Sequence, residues 1–211
     1  MPKVAVRFNI YSLKGRTIMN QEIEIEFKNL LTQEEFQQLL NHFSLEEKHF
    51  KHQVNHYFDT PDYQLKGHGA ALRIREKDGK YVLTLKQPAT EGLLESHEFL
   101  REEQAQAIIS NHEIPEGKIA EIIQNEFSIQ TEHLHCFGSL ATSRAELIYR
   151  GGTLVFDHSR YLNKEDFELE YEVTDFTVGK AAFENLLKEL NIPNRETDNK
   201  IKRFYNEKFK N

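Results

Sequence analysis

An α+β fold is predicted, with an antiparallel sheet that closes around a charged face and helices packed outside it. Three observations predict it. Residues 21–28, Gln-Glu-Ile-Glu-Ile-Glu-Phe-Lys, alternate strictly between polar and apolar, which is the period of a β-strand. Residues 167–173, Phe-Glu-Leu-Glu-Tyr-Glu-Val, repeat the pattern near the other end of the chain. Two glycine-bearing turns, Asp78-Gly79 and Gly151-Gly152, each separate a pair of further alternating runs and so predict hairpins.

The elements follow in order. Val4, Val6, Phe8 and Ile10 give a weak strand pattern at the N-terminus. Met19 stands directly before the first acidic strand and reads as the native start. Residues 1–18 are then an extension, and 19–211 a single domain; a genuine extra edge strand is the other reading. Thr32-Gln33-Glu34-Glu35 is a capping box, opening a helix with Phe36, Leu39, Leu40 and Phe43 on one face. A short strand at 56–59 runs into the turn Thr60-Pro61-Asp62. Strands are expected at 70–76, 81–87 and 93–100, and helices at 102–110 and 118–127. The second hairpin spans 139–160, a turn covers 161–165, and the second acidic strand follows. Helices at 179–190 and from an Asp198 cap to about Phe209 complete the chain.

These strands gather charge. Glu22, Glu24, Glu26 and Lys28 share one face of the first comb, and Glu168, Glu170 and Glu172 share one face of the second. Like charges side by side on a strand repel unless a cation neutralises them. If Asp78-Gly79 is a two-residue turn, Arg75 lies opposite Val82, Arg73 opposite Thr84, and Ala71 opposite Lys86. Arg73, Arg75, Thr84 and Lys86 then share one face, with Leu72, Ile74, Leu83 and Leu85 on the other. The same arithmetic at Gly151-Gly152 sets Glu146 opposite Asp157 and Arg144 opposite Ser159. Any one of these could be a solvated strand face. Together they predict a basic wall and an acidic wall, which suit a polyphosphate chelated to Mg²⁺ or Mn²⁺.

Composition narrows the classes. The chain has 211 residues and a formal net charge of −7, against nonspecific nucleic-acid binding. One cysteine, Cys136, allows no internal disulfide and fits a reducing, cytoplasmic location. No apolar run approaches the roughly 20 residues of a membrane span. A homodimer fits the chain but has no sequence signature. His49-x-x-His52 and His133-Leu134-His135-Cys136 lack zinc-site spacing and read as surface residues. His97, between Glu95 and Glu98, is a minor candidate for a proton shuttle. Neither a Walker phosphate loop nor a Gly-rich dinucleotide fingerprint occurs.

The set resembles the triphosphate tunnel metalloenzyme, or CYTH, family, most closely its small Gram-positive bacterial members. The family's Glu-x-Glu-x-Lys mark is Glu24-Ile25-Glu26-Phe27-Lys28. Tyr57-Phe58-Asp59-Thr60, Leu72-Arg73-Ile74-Arg75, Leu83-Thr84-Leu85-Lys86, Arg144, Asp157, the late acidic strand and Asn199-Lys200 follow in the expected order. The resemblance implies an eight-stranded antiparallel tunnel that binds triphosphate and a divalent metal. Lys28, Arg73, Arg75, Lys86, Arg144 and Lys200 would hold phosphates. Glu24, Glu26, Asp157 and two of Glu168, Glu170 and Glu172 would hold metal, with Glu146 added by the hairpin arithmetic. Lys28, Arg73, Arg75, Lys86, Arg144 and Asp157 are the expected catalytic set. Arg203, three residues after Lys200, can share its helix face. The implied activity is a metal-dependent triphosphatase acting on inorganic triphosphate or a small organic triphosphate. A class IV adenylate cyclase and a noncatalytic polyphosphate- or nucleotide-binding protein are the alternatives.

Overall fold

The computed structural model describes residues 7–8, 20–23, 25–89, 93–111 and 114–210. Met19 and Glu24, on which two of the sequence expectations rest, lie outside them. The fold is α+β, with antiparallel strands and six α-helices among the described residues. In chain order the strands are β1 (Arg7–Phe8), β2 (Asn20–Ile23), β3 (Ile25–Leu31), β4 (Lys51–Asp59), β5 (Ala71–Lys77), β6 (Lys80–Pro88), β7 (Leu93–Leu100), β8 (His135–Tyr149), β9 (Gly152–Tyr161) and β10 (Lys164–Val173). The helices are α1 (Gln33–His42), α2 (Gln64–Gly67), α3 (Glu102–Asn111), α4 (Lys118–Phe127), α5 (Phe176–Glu189) and α6 (Lys200–Lys208).

Two compact units divide the chain. A split unit combines residues 25–53 with 140–210, and a central unit holds 54–139 with β1 and β2. In the split unit the strand order is β8-β9-β10-β3. One face of these strands is apolar. Phe156, Leu154, Leu169, Tyr171 and Ala145 pack there with Phe36 and Leu39 of α1 and Phe183, Leu186 and Leu187 of α5. α1 begins as its capping box predicts: Thr32 Oγ1 accepts from the Glu35 amide, and Glu35 Oε2 accepts from the Thr32 amide.

In the central unit β2-β7-β6-β5-β4 lie side by side. Leu72, Ile74, Leu83 and Leu85 are fully buried against Ile108 of α3 and Ile119 and Ile123 of α4. Asp78 and Gly79 both take positive φ, 51° and 69°, so the first hairpin turns where the sequence places it. The register is the expected one, with Arg75 opposite Val82, Arg73 opposite Thr84 and Ala71 opposite Lys86.

The second hairpin differs from expectation by one residue. Its turn is Arg150-Gly151, with φ of 44° and 85°, and Gly152 already pairs with Tyr149. The two glycines serve different needs. Gly151 takes the left-handed turn position. Gly152 is in the strand, where a Cβ would lie 2.6 Å from the Glu172 carbonyl oxygen and 2.7 Å from the Tyr171 ring. Arg144 therefore faces Asp157, and Glu146 faces Val155 rather than Asp157. The division of residues between the two faces is unchanged, because the shift moves each partner by two positions.

Other boundaries differ as well: β8 starts at His135 rather than 139, and β10 at Lys164, inside the expected turn. β4 starts at Lys51, five residues before the expected strand, because its buried Gln53 and Asn55 carry no apolar signal. α5 starts at Phe176, capped by Asp175, whose carboxylate accepts from the Val178 amide. The aromatic and β-branched Phe-Thr-Val that opens it has low helix propensity and hides this start. α6 is capped by Asn199, not Asp198: Asn199 Oδ1 accepts from the Lys202 amide, while Asp198 pairs with the Lys202 ammonium.

Candidate functional site

The charged face of the split unit is built by register. Arg144, Asp157 and Glu168 lie opposite one another across β8, β9 and β10, and Glu170 lies opposite Lys28 of β3. Directly opposed side chains share a face, so β8, β9, β10 and β3 all deliver charge to the same side. The opposed carboxylate pairs are Asp157 with Glu168 and Glu26 with Glu172.

Asp157, Glu168 and Glu170 are buried, and each offers a carboxylate oxygen within 4.8 Å of the other two. Cations meet them from two sides. Arg144 donates from Nε to Asp157 Oδ1 at 2.7 Å, and from Nη2 to Asp157 Oδ2 at 2.6 Å and Glu170 Oε2 at 2.9 Å. The Lys200 ammonium, on the first residue of α6, lies 2.9 Å from Asp157 Oδ2 and also contacts Glu168 Oε2 and Glu170 Oε1. Arg203, one turn along α6, donates to both oxygens of Glu168 and to Asp166 Oδ2. Lys28 pairs with Glu26.

Burial alone would disfavour the charges of Asp157, Glu170, Lys200 and Lys28, but opposite charges outweigh it. Burial raises the Asp157 and Glu170 carboxyls, yet the cations of Lys200 and Arg144 hold both below the ordinary carboxylate range, Glu170 far below. Burial lowers the Lys200 ammonium, yet Asp157, Glu170 and Glu168 hold it well above the usual lysine value. Lys28 is raised in the same way, mainly by Glu26.

What carries α6 to this face is a strap along β3. Asn29, fully buried, donates to the Pro193 carbonyl at 3.1 Å and accepts from the Arg195 amide. Arg195 grips both oxygens of Glu35 and the Leu30 carbonyl, and Thr197 Oγ1 accepts from the Leu30 amide at 2.9 Å. These bonds satisfy backbone groups of β3 and fix the chain just before Lys200.

The central unit presents its own charged face. Arg73, Thr84 and His97 form one row across β5, β6 and β7, and Ala71, Lys86 and Glu95 form the next. Lys86 pairs with Glu95, Arg75 Nε donates to Asn55 Oδ1 at 3.1 Å, and Thr84 Oγ1 lies 3.0 Å from His97 Nδ1. The Nε of Arg73 is buried without a hydrogen-bond partner among the described residues. Glu98 is on the opposite face, where its Oε1 accepts from the Ile119 amide at 2.9 Å. It does not flank His97 in space, because a strand alternates sides.

A family model for the CYTH domain matches residues 22–205. The chain belongs to the CYTH domain family. It is 53% identical over 192 residues to YjbK of Bacillus subtilis strain 168, a protein named as a candidate triphosphatase, covering 91% of this chain and 99% of that one. A crystal structure of a candidate adenylate cyclase from Bacillus halodurans matches with a TM-score of 0.84 and 42% identity, over 88% of this chain and 98% of that one. HpAC1 from Hippeastrum, a candidate adenylyl cyclase whose structure is described as revealing a dominant triphosphatase activity, matches with a TM-score of 0.76 and 27% identity, over 88% and 96%.

Within this CYTH domain the predicted residues fall into groups. Asp157, Glu168, Glu170, Arg144 and Lys200 come together in the split unit. Lys28 and Glu26 pair beside them on β3, with Glu172 opposite Glu26. Arg73, Arg75 and Lys86 share the charged face of the central unit. Glu146 is exposed and outside the buried acidic trio. Glu24 lies outside the described residues. Asp166 is the residue that sequence reading missed. It is in phase with Glu168 two positions on, a signal masked by assigning 161–165 to a turn and starting the strand after it. Among the described residues, no helix is long and apolar enough to cross a membrane.

Proposed function

We propose that this CYTH domain is a divalent-metal-dependent triphosphatase that hydrolyses inorganic triphosphate or a small organic triphosphate. The observation that carries the reading is the face of β5 and β6. Arg73, Arg75 and Lys86 project from it, and the buried Arg73 Nε has no acceptor among the described residues. A buried guanidinium donor without an acceptor is costly, and a phosphate oxygen supplies one. The names of YjbK and HpAC1 support the same substrate class.

In this reading Lys28, Arg73, Arg75, Lys86, Arg144 and Lys200 hold the phosphate chain inside the closed eight-stranded tunnel that the family resemblance implies. Arg73, Arg75 and Lys86 fix its position and draw charge from its oxygens. The donor set of Asp157, Glu168 and Glu170 is all carboxylate and already surrounds one cation, so it fits a hard divalent ion such as Mg²⁺ or Mn²⁺. Glu24, Glu26, Glu172 and Glu146 are the further candidate ligands. When bound, such an ion neutralises charge on the phosphoryl oxygens and lowers the pKa of a coordinated water. Rate enhancement then comes from positioning and electrostatics, as in phosphoryl transfer generally.

The test is phosphate release from purified protein with inorganic triphosphate, thiamine triphosphate or ATP, each with Mg²⁺, Mn²⁺ or EDTA. EDTA-sensitive release from a triphosphate is expected. Cyclic AMP from ATP, without phosphate release, would establish the cyclase instead. Tight triphosphate binding with no metal-stimulated turnover would leave a noncatalytic binding protein.

A further inference from the structure

The oxygens of the acidic trio meet two kinds of cation. Asp157 Oδ2, Glu168 Oε2 and Glu170 Oε1 converge on the Lys200 ammonium. The outer oxygens, Asp157 Oδ1, Glu168 Oε1 and Glu170 Oε2, accept from the guanidinium groups of Arg144 and Arg203. The ammonium sits among three oxygens; it shares Asp157 Oδ2 with Arg144 and Glu168 Oε2 with Arg203, and only it reaches all three carboxylates.

We infer that Lys200 is the resident cation of this pocket and competes with a divalent metal for the same three oxygens. The inference rests on the metal reading proposed above and adds to it. An ammonium and a divalent ion cannot both sit among the same three oxygens. At contact distance, away from bulk water, the two cations repel each other strongly. Metal entry therefore requires Lys200 to leave. Its side chain can do so without moving the helix. The start of α6 is fixed separately, by the Asn199 cap and by Arg203 on Glu168 and Asp166. A lysine stem has four rotatable carbons and can swing its charge over several ångströms.

Two consequences follow. Free metal binds this protein weakly as long as nothing else takes the Lys200 ammonium. A triphosphate oxygen is an acceptor for it, so anion and metal help each other to bind, and by linkage the help is mutual. Lys200 thus makes the metal–triphosphate chelate, rather than the free metal followed by the free anion, the preferred species to enter.

The experiment is a Mn²⁺ titration of the full chain without triphosphate, followed by electron paramagnetic resonance, on wild type, Lys200→Met and Glu170→Gln. Lys200→Met is expected to bind Mn²⁺ about tenfold or more tighter than wild type. Glu170→Gln is expected to weaken binding. Unchanged or weaker binding by Lys200→Met, with Glu170→Gln still weakening it, overturns the competition and leaves the metal site intact. Glu170→Gln without effect overturns the metal assignment of the trio and the competition with it.

Lys200→Met also leaves three carboxylates short of a cation and could fail to fold. A second measurement therefore uses wild type: the ¹⁵N resonance of the Lys200 ammonium during titration with Mg²⁺. A buried, ion-paired ammonium is expected to give a distinct signal that shifts or is lost as Mg²⁺ saturates. A signal unmoved at saturation overturns the inference.

Discussion

In the split unit, Arg144 meets Asp157 and Glu170, Lys200 meets all three of the trio, and Arg203 meets Glu168 and Asp166. In the central unit, Arg73 lies in an equally orderly row, yet its Nε has no acceptor among the described residues. Both units put cations on a strand face whose reverse is packed with Leu, Ile or Phe. The difference lies in what the cations are matched to. Matched charges hold the fold, and the proposed function assigns the unmatched donor to a ligand.

The comparison is sharpest when one arginine is removed from each unit. Arg144→Met leaves Asp157, which has no exposed surface, without its bidentate partner. A buried charge that loses its partner costs roughly 3–5 kcal/mol. Arg73→Met removes a cation whose Nε has no acceptor among the described residues and should cost less than about 1 kcal/mol. Urea unfolding of both variants measures this. Equal losses would mean that the two faces do not differ in the way described.

Activity should be sensitive to Arg73 even though stability is not. Arg73→Ala in a still-folded protein is expected to lower kcat/KM for triphosphate roughly 10²-fold or more, the scale of losing one preorganised charge donor. Near-wild-type turnover would remove Arg73 from the machinery.

How much of this was legible in the sequence differs between the two units for a physical reason. The β5–β6 hairpin was readable because Asp78-Gly79 fixes the turn, and the turn fixes every cross-strand pair. The β8–β9 hairpin was misread by one pair because two adjacent glycines look alike in sequence. Only the packing of Tyr171 and Glu172 against Gly152 separates their roles. The acidic combs were readable from alternation alone. The convergence of Asp157, Glu168 and Glu170 on Lys200 was not, since it depends on a strap from Pro193 and a helix from Lys200, both outside the periodic strands. Asp166 shows the limit in miniature: its phase with Glu168 is visible, but its partner Arg203 is set by α6.

That strap gives the next test. Asn29 makes two bonds that tie β3 to the segment before Lys200. Asn29→Ala leaves buried backbone groups without partners, each costing about 1–3 kcal/mol. A loss in that range by urea unfolding is expected. A loss near zero would mean that α6 is placed by its own contacts with the trio and not by the strap.

The smallest effect is a flat one. Asp157 and Glu170 titrate below the ordinary carboxylate range, so their contribution to stability is fully present above about pH 4 and is lost as pH falls through the lowered values. Lys200 and Lys28 titrate above the ordinary lysine range, so theirs is fully present below about pH 10 and is lost as pH rises through the raised values. Between those limits these four groups bind as many protons folded as unfolded, and their stabilisation cannot depend on pH. The stability gap between wild type and Asp157→Asn should therefore stay constant from about pH 6 to pH 9. It should narrow below about pH 4, where Asp157 takes up its proton in the unfolded chain before it does in the folded one. A gap that already narrows near pH 6 would show that Lys200 and Arg144 do not hold the carboxylate as the geometry implies, and the contrast between the two units would lose its basis.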